Sequence, residues 1–354
     1  MNSCEQLLRT LRACEQDVRL IKHPDGSRLV LLARGGRVAA LFSKKGGSCL
    51  WLHPALSSLS SARLHFQASP WPNPGGGRVW LAPEIDLFFP HYPDLRSYQV
   101  PSTVDPGRYQ FRKTRYGCGL VNEGKVRMAR SGQSLRFRIS QSFGPAENPS
   151  KEKLGVVYAG FTQRTSLELL ESPSRIRDRL GLWHLLQLPH TGEVWISIRG
   201  RVRPVILFSN PKALPCGVFR QRHRLLIHRT VRGCEYKVGL PPRSVTGRIG
   251  YLGRQGSEWV LVVRGFSVDS RGHYVDVPWR RPRSAAAAVQ FCGVDSPTLG
   301  RFAEIEHHGP SVGRGTGRRK TVEVCHTWAY RGERKKILQM ANALLDVGMV
   351  PMGD

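Results

Sequence analysis

The sequence predicts a mainly β protein, one large sandwich of many short strands with helix confined to its two ends. Three observations carry this. Short β-branched, aromatic or alternating runs recur along the chain, and only two stretches have helical spacing. Glycine (37) and proline (24) are frequent and scattered, as tight turns between strands require. Hydrophobic residues make up 40% of the 354 positions, enough for a packed core and too many for a disordered chain. Strands at this density, with so little helix, give a sandwich or barrel rather than a doubly wound parallel sheet.

Residues 3–20 carry Leu7, Leu8, Leu11 and Val18 among charged neighbours, which predicts a short amphipathic helix. Two strands follow at 28–33 and 37–42, separated by Arg34-Gly35-Gly36 as a hairpin turn. Further strands are expected at 78–82, 108–116, 135–143, 156–161, 194–198, 203–208, 224–229, 236–240, 246–252, 258–264, 287–292 and 301–307. Ile337, Leu338, Met340, Ala341 and Leu344 stand at helical spacing between Arg334 and Leu345, the one other helix expected. The domain reading is a helix over 1–22, a sandwich over 23–333 and a C-terminal helix and tail over 334–354. No internal repeat is visible, and the polar stretch from Phe143 to Lys153 is expected to be a flexible crossing between two halves.

The net charge of +28 admits two readings. A field of this sign attracts polyanions, nucleic acid above all. Arginine-rich decoration of an ordinary surface gives the same number. The arginines run from Arg9 to Arg334, with dense groups at Arg220 to Arg224, Arg280 to Arg283 and Arg318 to Lys320, and no nucleic-acid-binding motif accompanies them. A nucleic-acid partner through these arginines therefore stays as the alternative function. No run of about 18 apolar residues exists, so no membrane partner is expected. The N-terminus has acids where an export signal needs an apolar core, and the eight cysteines stand singly without a CxxC spacing. A reduced, cytoplasmic protein is the expectation.

Candidate chemistry lies in three segments. In Arg301 to Pro310, period two puts Phe302, Glu304, Glu306 and His308 on one strand face, with Ala303, Ile305 and His307 on the other. Two carboxylates and an imidazole on one face need a wet cleft or an exposed edge, and both stay open. In the cleft reading Glu306 is a general base and His308 its neighbour or a ligand contact. A metal set of Glu304, Glu306, His308 and His326 matches no standard spacing, so neither metal nor cofactor is expected. In Asn73 to Glu84, three glycines bring backbone close to a neighbour. Arg78 can then offer a fork of donors to hydroxyls and Trp80 a ring to stack, unless the segment is simply a turn and a core strand. In Gly181 to Pro189, Trp183, Leu185 and Gln187 alternate with His184, Leu186 and Leu188. His184 there is either a satisfied core residue or a general acid partnering Glu306. Two weaker patterns are Gly313 to Gly317, read as a mobile basic loop, and Arg108 to Arg112, whose aromatics fit base stacking or an amphipathic strand.

These segments, in this order, resemble an uncharacterised bacterial family, a DUF6786-like group related to aldose epimerases. The residues that carry the resemblance are Gly36 to Leu41, Gly76 to Glu84 (GGRVWLAPE), Gly181 to Gln187, Tyr236 to Arg243 (YKVGLPPR) and Phe302 to Glu306 followed by Pro310. The resemblance implies a galactose mutarotase-like β-supersandwich that binds carbohydrate on a concave face. It also implies aldose or sugar-phosphate 1-epimerase activity, with Glu306 as base, His184 or His308 as acid, and Arg78 gripping the sugar. Trp80, Glu84, Lys237 and Glu304 are the remaining expected substrate contacts. No His-x-Tyr-[FW]-Asn strand of the mutarotase kind is found. The net charge turns the expected ligand toward a phosphorylated or acidic (uronic) saccharide.

Overall fold

The structure, a computed structural model, describes residues 3–68, 71–150, 154–210, 214, 217–296 and 299–345. In chain order, α1 (Cys4–Ala13) leads into β1 (Val18–Lys22), β2 (Arg28–Leu32) and β3 (Arg37–Phe42). Then α2 (Leu59–Gln67) precedes β4 (Gly77–Ala82) and the single turn α3 (Glu84–Leu87). The long middle of the chain is β5 (Gln110–Thr114), β6 (Gly117–Arg127), β7 (Ser134–Gly144), β8 (Val157–Leu169), β9 (Arg179–Pro189), β10 (Gly192–Ile198), β11 (Val205–Asn210), β12 (Phe219–Arg222) and β13 (Leu225–Arg229). It ends with β14 (Glu235–Leu240), β15 (Val245–Gln255), β16 (Glu258–Phe266), β17 (Val289–Ser296), β18 (Gly300–His308), β19 (Val312–Gly313), β20 (Lys320–Gly332) and α4 (Arg334–Leu345).

The strands form two antiparallel sheets, as expected for a supersandwich. The first runs β1-β2-β3-β4-β9-β18-β17-β14-β11, with β19 beside β9, and the second runs β12-β13-β10-β15-β16-β20-β8-β7-β6-β5. Their facing sides share one core, in which Val79, Leu182, Ile305 and Phe291 of the first sheet join Phe137, Leu167, Ile249 and Val262 of the second. Alternation decides which side chains reach that core. The outer face of the second sheet is capped by α4, whose Ile337, Met340 and Ala341 pack with Trp195, Leu261 and Trp328. The outer face of the first sheet is covered at its β1–β3 end by α1, through Leu7, Leu8 and Leu11, and by Ala62 of α2. The rest of that outer face holds the site.

Several expectations change in detail. The helix expected over 3–20 stops at Ala13, Glu15 turns the chain at φ 58°, and Val18 starts a strand instead. The Arg34–Gly36 turn forms as expected, with Gly35 and Gly36 at positive φ, which glycine adopts without steric cost. The stretch after Phe143 is not a crossing between halves. It joins β7 to β8, which are neighbours in one sheet, and Phe143 itself lies in β7; residues 151–153 lie outside the described residues, as do the tail beyond Leu345 and Cys216. No helix among the described residues is long and apolar enough to cross a membrane.

Candidate functional site

Strand β18 is flanked by β9 and β17, so it is an interior strand and not an exposed edge. Its even-numbered residues face outward from the sandwich, beside Arg78 and Trp80 of β4, Trp183 and Leu185 of β9, Lys237 of β14 and Cys292 of β17. Together they floor a cavity of about 530 Å³, within the range of about 300–1,000 Å³ usual for small-molecule sites. Its walls come from chain that returns over the sheet: Trp71, Tyr98 and Val100 from the connection around β4, Phe208 from β11, and Trp279 from the β16–β17 connection.

Carboxylates on a buried strand face need partners, since an unpaired buried charge is costly. Glu304 Oε1 accepts from Arg78 Nη1 at 2.6 Å, and its Oε2 accepts from the Cys292 thiol at 3.3 Å. The Arg78 guanidinium also lies 4.1 Å from the Trp80 ring centroid. Trp80 in turn donates its indole N–H to Asp105 at 3.0 Å. One register step away, Glu306 Oε2 accepts from Trp183 Nε1 at 2.7 Å and stands 3.5 Å from Lys237 Nζ. That ammonium donates to Glu84 Oε2 at 3.0 Å and sits 3.8 Å over the Trp183 ring. Glu84 Oε2 also accepts from Trp279 Nε1 at 2.8 Å. Beneath this layer Asp276 accepts from the Glu84 backbone N–H at 2.8 Å and from Gln290 Nε2 at 2.6 Å, which fixes Glu84 at the start of α3.

Burial sets the proton affinities. It pushes Glu306 up to about 7, with Lys237 pulling back and Glu304 and Glu84 adding to the rise. Glu84 is raised by burial too, against Lys237 and with help from Asp276. Burial alone would lower Lys237, yet Glu306 and Glu84 outweigh it and hold the ammonium above its ordinary range. The site therefore keeps its cation and has one carboxyl that titrates near neutrality, which is the property a general base needs.

The sequence-derived contacts Arg78, Trp80, Glu84, Lys237, Glu304 and Glu306 all line this one cavity. Trp80 is 2% exposed with Arg78 over its ring, so it supports the site rather than offering a free stacking face. The two histidines do not join them. His184 points to the opposite face of β9, where it stacks on the cross-strand neighbour His307 at 4.4 Å and bonds Thr165 of the second sheet. It is buried on the core side of β9, away from the cavity. Burial, Arg264 and His308 hold it well below the usual imidazole range. His308 shares the strand face of Glu306 but lies behind Trp183, stacked at 5.6 Å and 3.8 Å from Asp276, outside the cavity lining. Burial, against Asp276, lowers it to about 4.

Of the weighed metal set, His326 belongs to β20 in the other sheet and bonds Thr162. The residues that do converge are Cys292, Glu304 and Glu306, whose ligand atoms lie within 4.8 Å of one another. Arg78 and Lys237 already partner those carboxylates, and burial with Glu304 and Glu306 raises the Cys292 thiol well above its ordinary range. That set is better matched to organic ligands than to a cation. The triple glycine does bring backbones together: a Cβ on Gly76 would meet the Val38 carbonyl at 2.1 Å, and one on Gly75 the Trp51 carbonyl at 2.4 Å. Gly313 to Gly317 forms a turn between β19 and β20, and Arg108 to Arg112 leads into the edge strand β5 with Tyr109 in the core.

Sequence reasoning did not assign Trp183, Trp279, Phe208, Tyr98 or Cys292 to the site. Trp183 carried a usable signal, since alternation already set it on the face opposite His184. Cys292 lies in β17 directly opposite Glu304, and Tyr98, Trp279 and Phe208 come from connections and the edge strand β11 that only the fold brings near β18.

No family model matches the chain, so membership of a DUF6786-like group is not shown, and no curated protein matches it. Among solved structures it is similar to a galactose mutarotase-like protein from Lactobacillus casei (TM-score 0.48, 8% identity, covering 88% of this chain and 100% of that one). It is also similar to a galactose mutarotase-like protein from Clostridium acetobutylicum (TM-score 0.41, 10% identity, 89% and 98%). A galactose 1-epimerase from Lactobacillus acidophilus is a further similar chain (TM-score 0.41, 5% identity, 90% and 95%). Similarities at this level say nothing about activity. What the chain itself defines is a two-sheet antiparallel supersandwich with an aromatic, carboxylate-bearing cavity on the outer face of its first sheet.

Proposed function

We propose that this cavity binds a saccharide and that Glu306 exchanges a proton with it. The observation that carries the reading is the union, in one cavity, of aromatic rings and fixed charged groups. A pyranose has faces of C–H groups and a rim of hydroxyls, so it needs apolar rings and directional polar partners together. Trp279, half-buried and stacked on Phe208 at 4.3 Å, offers a flat wall, and Tyr98 at 43% exposure stands at the opening. Arg78–Glu304 and Lys237–Glu84–Glu306 supply the polar partners.

On an aldose placed with C1 over Glu306, the groups support anomer interconversion. Glu306 takes the proton of the C1 hydroxyl while the C1–O5 bond breaks and Lys237 delivers a proton to O5. Rotation about C1–C2 and the reverse transfers close the ring on its other face, returning both protons to where they began. Lys237 takes the place of the histidine acid, because no imidazole lines the cavity among the described residues.

The test joins calorimetric titration with saccharides to exchange spectroscopy of their anomers. Glu306→Gln should keep binding and lower exchange by about 100-fold or more, the usual weight of a general base. Unchanged exchange would remove the catalytic step and leave a binding module. The competing polyanion reading predicts oligonucleotide binding that falls steeply with salt through the exposed arginines near 220–224, 280–283 and 318–319. Such binding without any saccharide response would overturn the proposal.

A further inference from the structure

The net charge of +28 does not extend into the cavity. Among the described residues lining it are four carboxylates, Glu84, Glu235, Glu304 and Glu306, and two cations, Arg78 and Lys237. Both cations have carboxylate partners. Arg78 is 2.6 Å from Glu304, and Lys237 is 3.0 Å from Glu84 and 3.5 Å from Glu306. Each positive charge is therefore already matched by a carboxylate, although Arg78 Nε is without a hydrogen-bond partner among the described residues. Setting aside Glu235, which is only half-buried at the start of β14, three buried carboxylates still face two cations.

The spare acceptors are also directional. Every protein donor to Glu84 and Glu306 among the described residues lands on Oε2: Lys237 and Trp279 on the first, Trp183 and Lys237 on the second. Oε1 of each carboxylate is thus open to a donor from a ligand. The ring faces act in the same sense, because an aromatic quadrupole attracts cations, and Lys237 over Trp183 at 3.8 Å and Arg78 over Trp80 at 4.1 Å already use two rings in this way. Trp279 adds a further ring to the walls, whereas the Trp71 ring already has Arg37 and Arg78 each 5.8 Å from its centroid.

We propose that the ligand is an amino sugar, a pyranose with a free ammonium group that completes the charge opposite Glu84 and Glu306 beside the tryptophan rings. This rests on the saccharide reading above and goes beyond it by naming the chemical class. A phosphorylated or uronic sugar, which the overall charge suggested, would bring another anion to a floor that already has a carboxylate in excess.

The experiment is calorimetric titration of the full chain at pH 7 and fixed ionic strength. The probes are glucosamine, galactosamine and mannosamine, their N-acetyl forms, the parent hexoses and the hexose 6-phosphates. One amine should bind about 10-fold or more tighter than its own N-acetyl and parent forms, with the 6-phosphate weakest. Glu84→Gln and Glu306→Gln should each shrink that preference while the parent hexose still binds. The wild-type panel decides the matter even if a variant does not fold. Equal binding of amine and parent hexose, or tightest binding of the 6-phosphate, overturns the amino-sugar assignment and leaves the saccharide reading standing. No response to any sugar overturns both.

Discussion

Replacing Lys237 with methionine removes the one ammonium shared by Glu84 and Glu306 and keeps most of the apolar stem. The side chain is 3% exposed, so water cannot take over its role. Removing one partner of a buried ion pair costs about 3–5 kcal/mol, because the other charge is left uncompensated. The carboxyls can escape part of this by holding protons, which makes the penalty depend on pH. Below about pH 6, Glu306 is already largely neutral in the wild type, since its value is about 7, so losing the ammonium matters less there. Above pH 7 the wild-type carboxyl ionises while the variant's, freed of Lys237, stays protonated longer. Its folded affinity is raised above the unfolded value, so its stability contribution is full at low pH and lost as pH rises through the folded value. The wild type stops losing stability from Glu306 once it ionises, whereas the variant goes on losing about 1.4 kcal/mol per pH unit. Urea unfolding of both proteins from pH 5.5 to 8.5 measures the difference. The expected gap widens with pH and reaches about 3–5 kcal/mol near pH 8. Adding Glu84→Gln and Glu306→Gln to the variant should recover at least half of it, because no uncompensated charge is then buried. A gap below about 1 kcal/mol at pH 8, within the range of a surface pair, would refute the shared-ammonium account. So would a gap that does not change with pH.

Two further predictions concern the histidines. His184→Gln should change anomer exchange by less than about twofold, since its imidazole lies on the core side of β9, while lowering stability by about 1–3 kcal/mol through its broken contacts with Thr165 and His307; a large loss of exchange at unchanged binding would return the acid role to it. Stability should also fall between about pH 6.5 and 4.5. Burial depresses eight imidazoles, those of His53, His65, His184, His190, His228, His307, His308 and His326, so the unfolded chain takes up their protons first and unfolding is favoured as pH drops. The raised carboxyls of Glu84, Glu235, Glu306 and Glu323 act in the opposite sense over this range, but they are four against eight. Urea midpoints that rise on acidification would contradict this count.

The parts of the fold that were legible in the sequence are those where side-chain polarity and strand alternation agree. Glu304 and Glu306 shared a face, Arg78 and Trp80 stood in one short strand, and the ends of the chain showed helical spacing, so these could be placed from the sequence. Strand β20 was missed because its alternation runs against the usual sign: Val322 and Val324 are partly exposed at 37%, while Glu323 and Cys325 turn inward. Helix α2 was missed because LSSARLHFQ buries only Ala62 and so has no apolar stripe to read. His184 was ambiguous for the opposite reason. Strand β9 is buried on both faces, and a strand of that kind gives alternation without saying which side is the core. The net charge says least about the site, since a sum over 354 residues is silent about a cavity lined by six charged groups.

That cavity's ion pairs also bear on strand register. Arg78 of β4 reaches Glu304 of β18 across the intervening strand β9, and Lys237 of β14 reaches Glu306 across β17. Buried pairs of this kind add little net stability over an apolar packing of the same shape. Their leverage lies in what they forbid. A slip of β18 by one residue would turn Glu304 and Glu306 into the core between the sheets and bring His307 out under Arg78 and Lys237. The core there already holds the Arg264 guanidinium, bonded to Cys325 and Gln163, and stacks His307 between His184 and Phe266. Each face of β18 is therefore matched to a different set of polar partners, and only one register satisfies both. The same two carboxylates that line the cavity also hold β18 in its place.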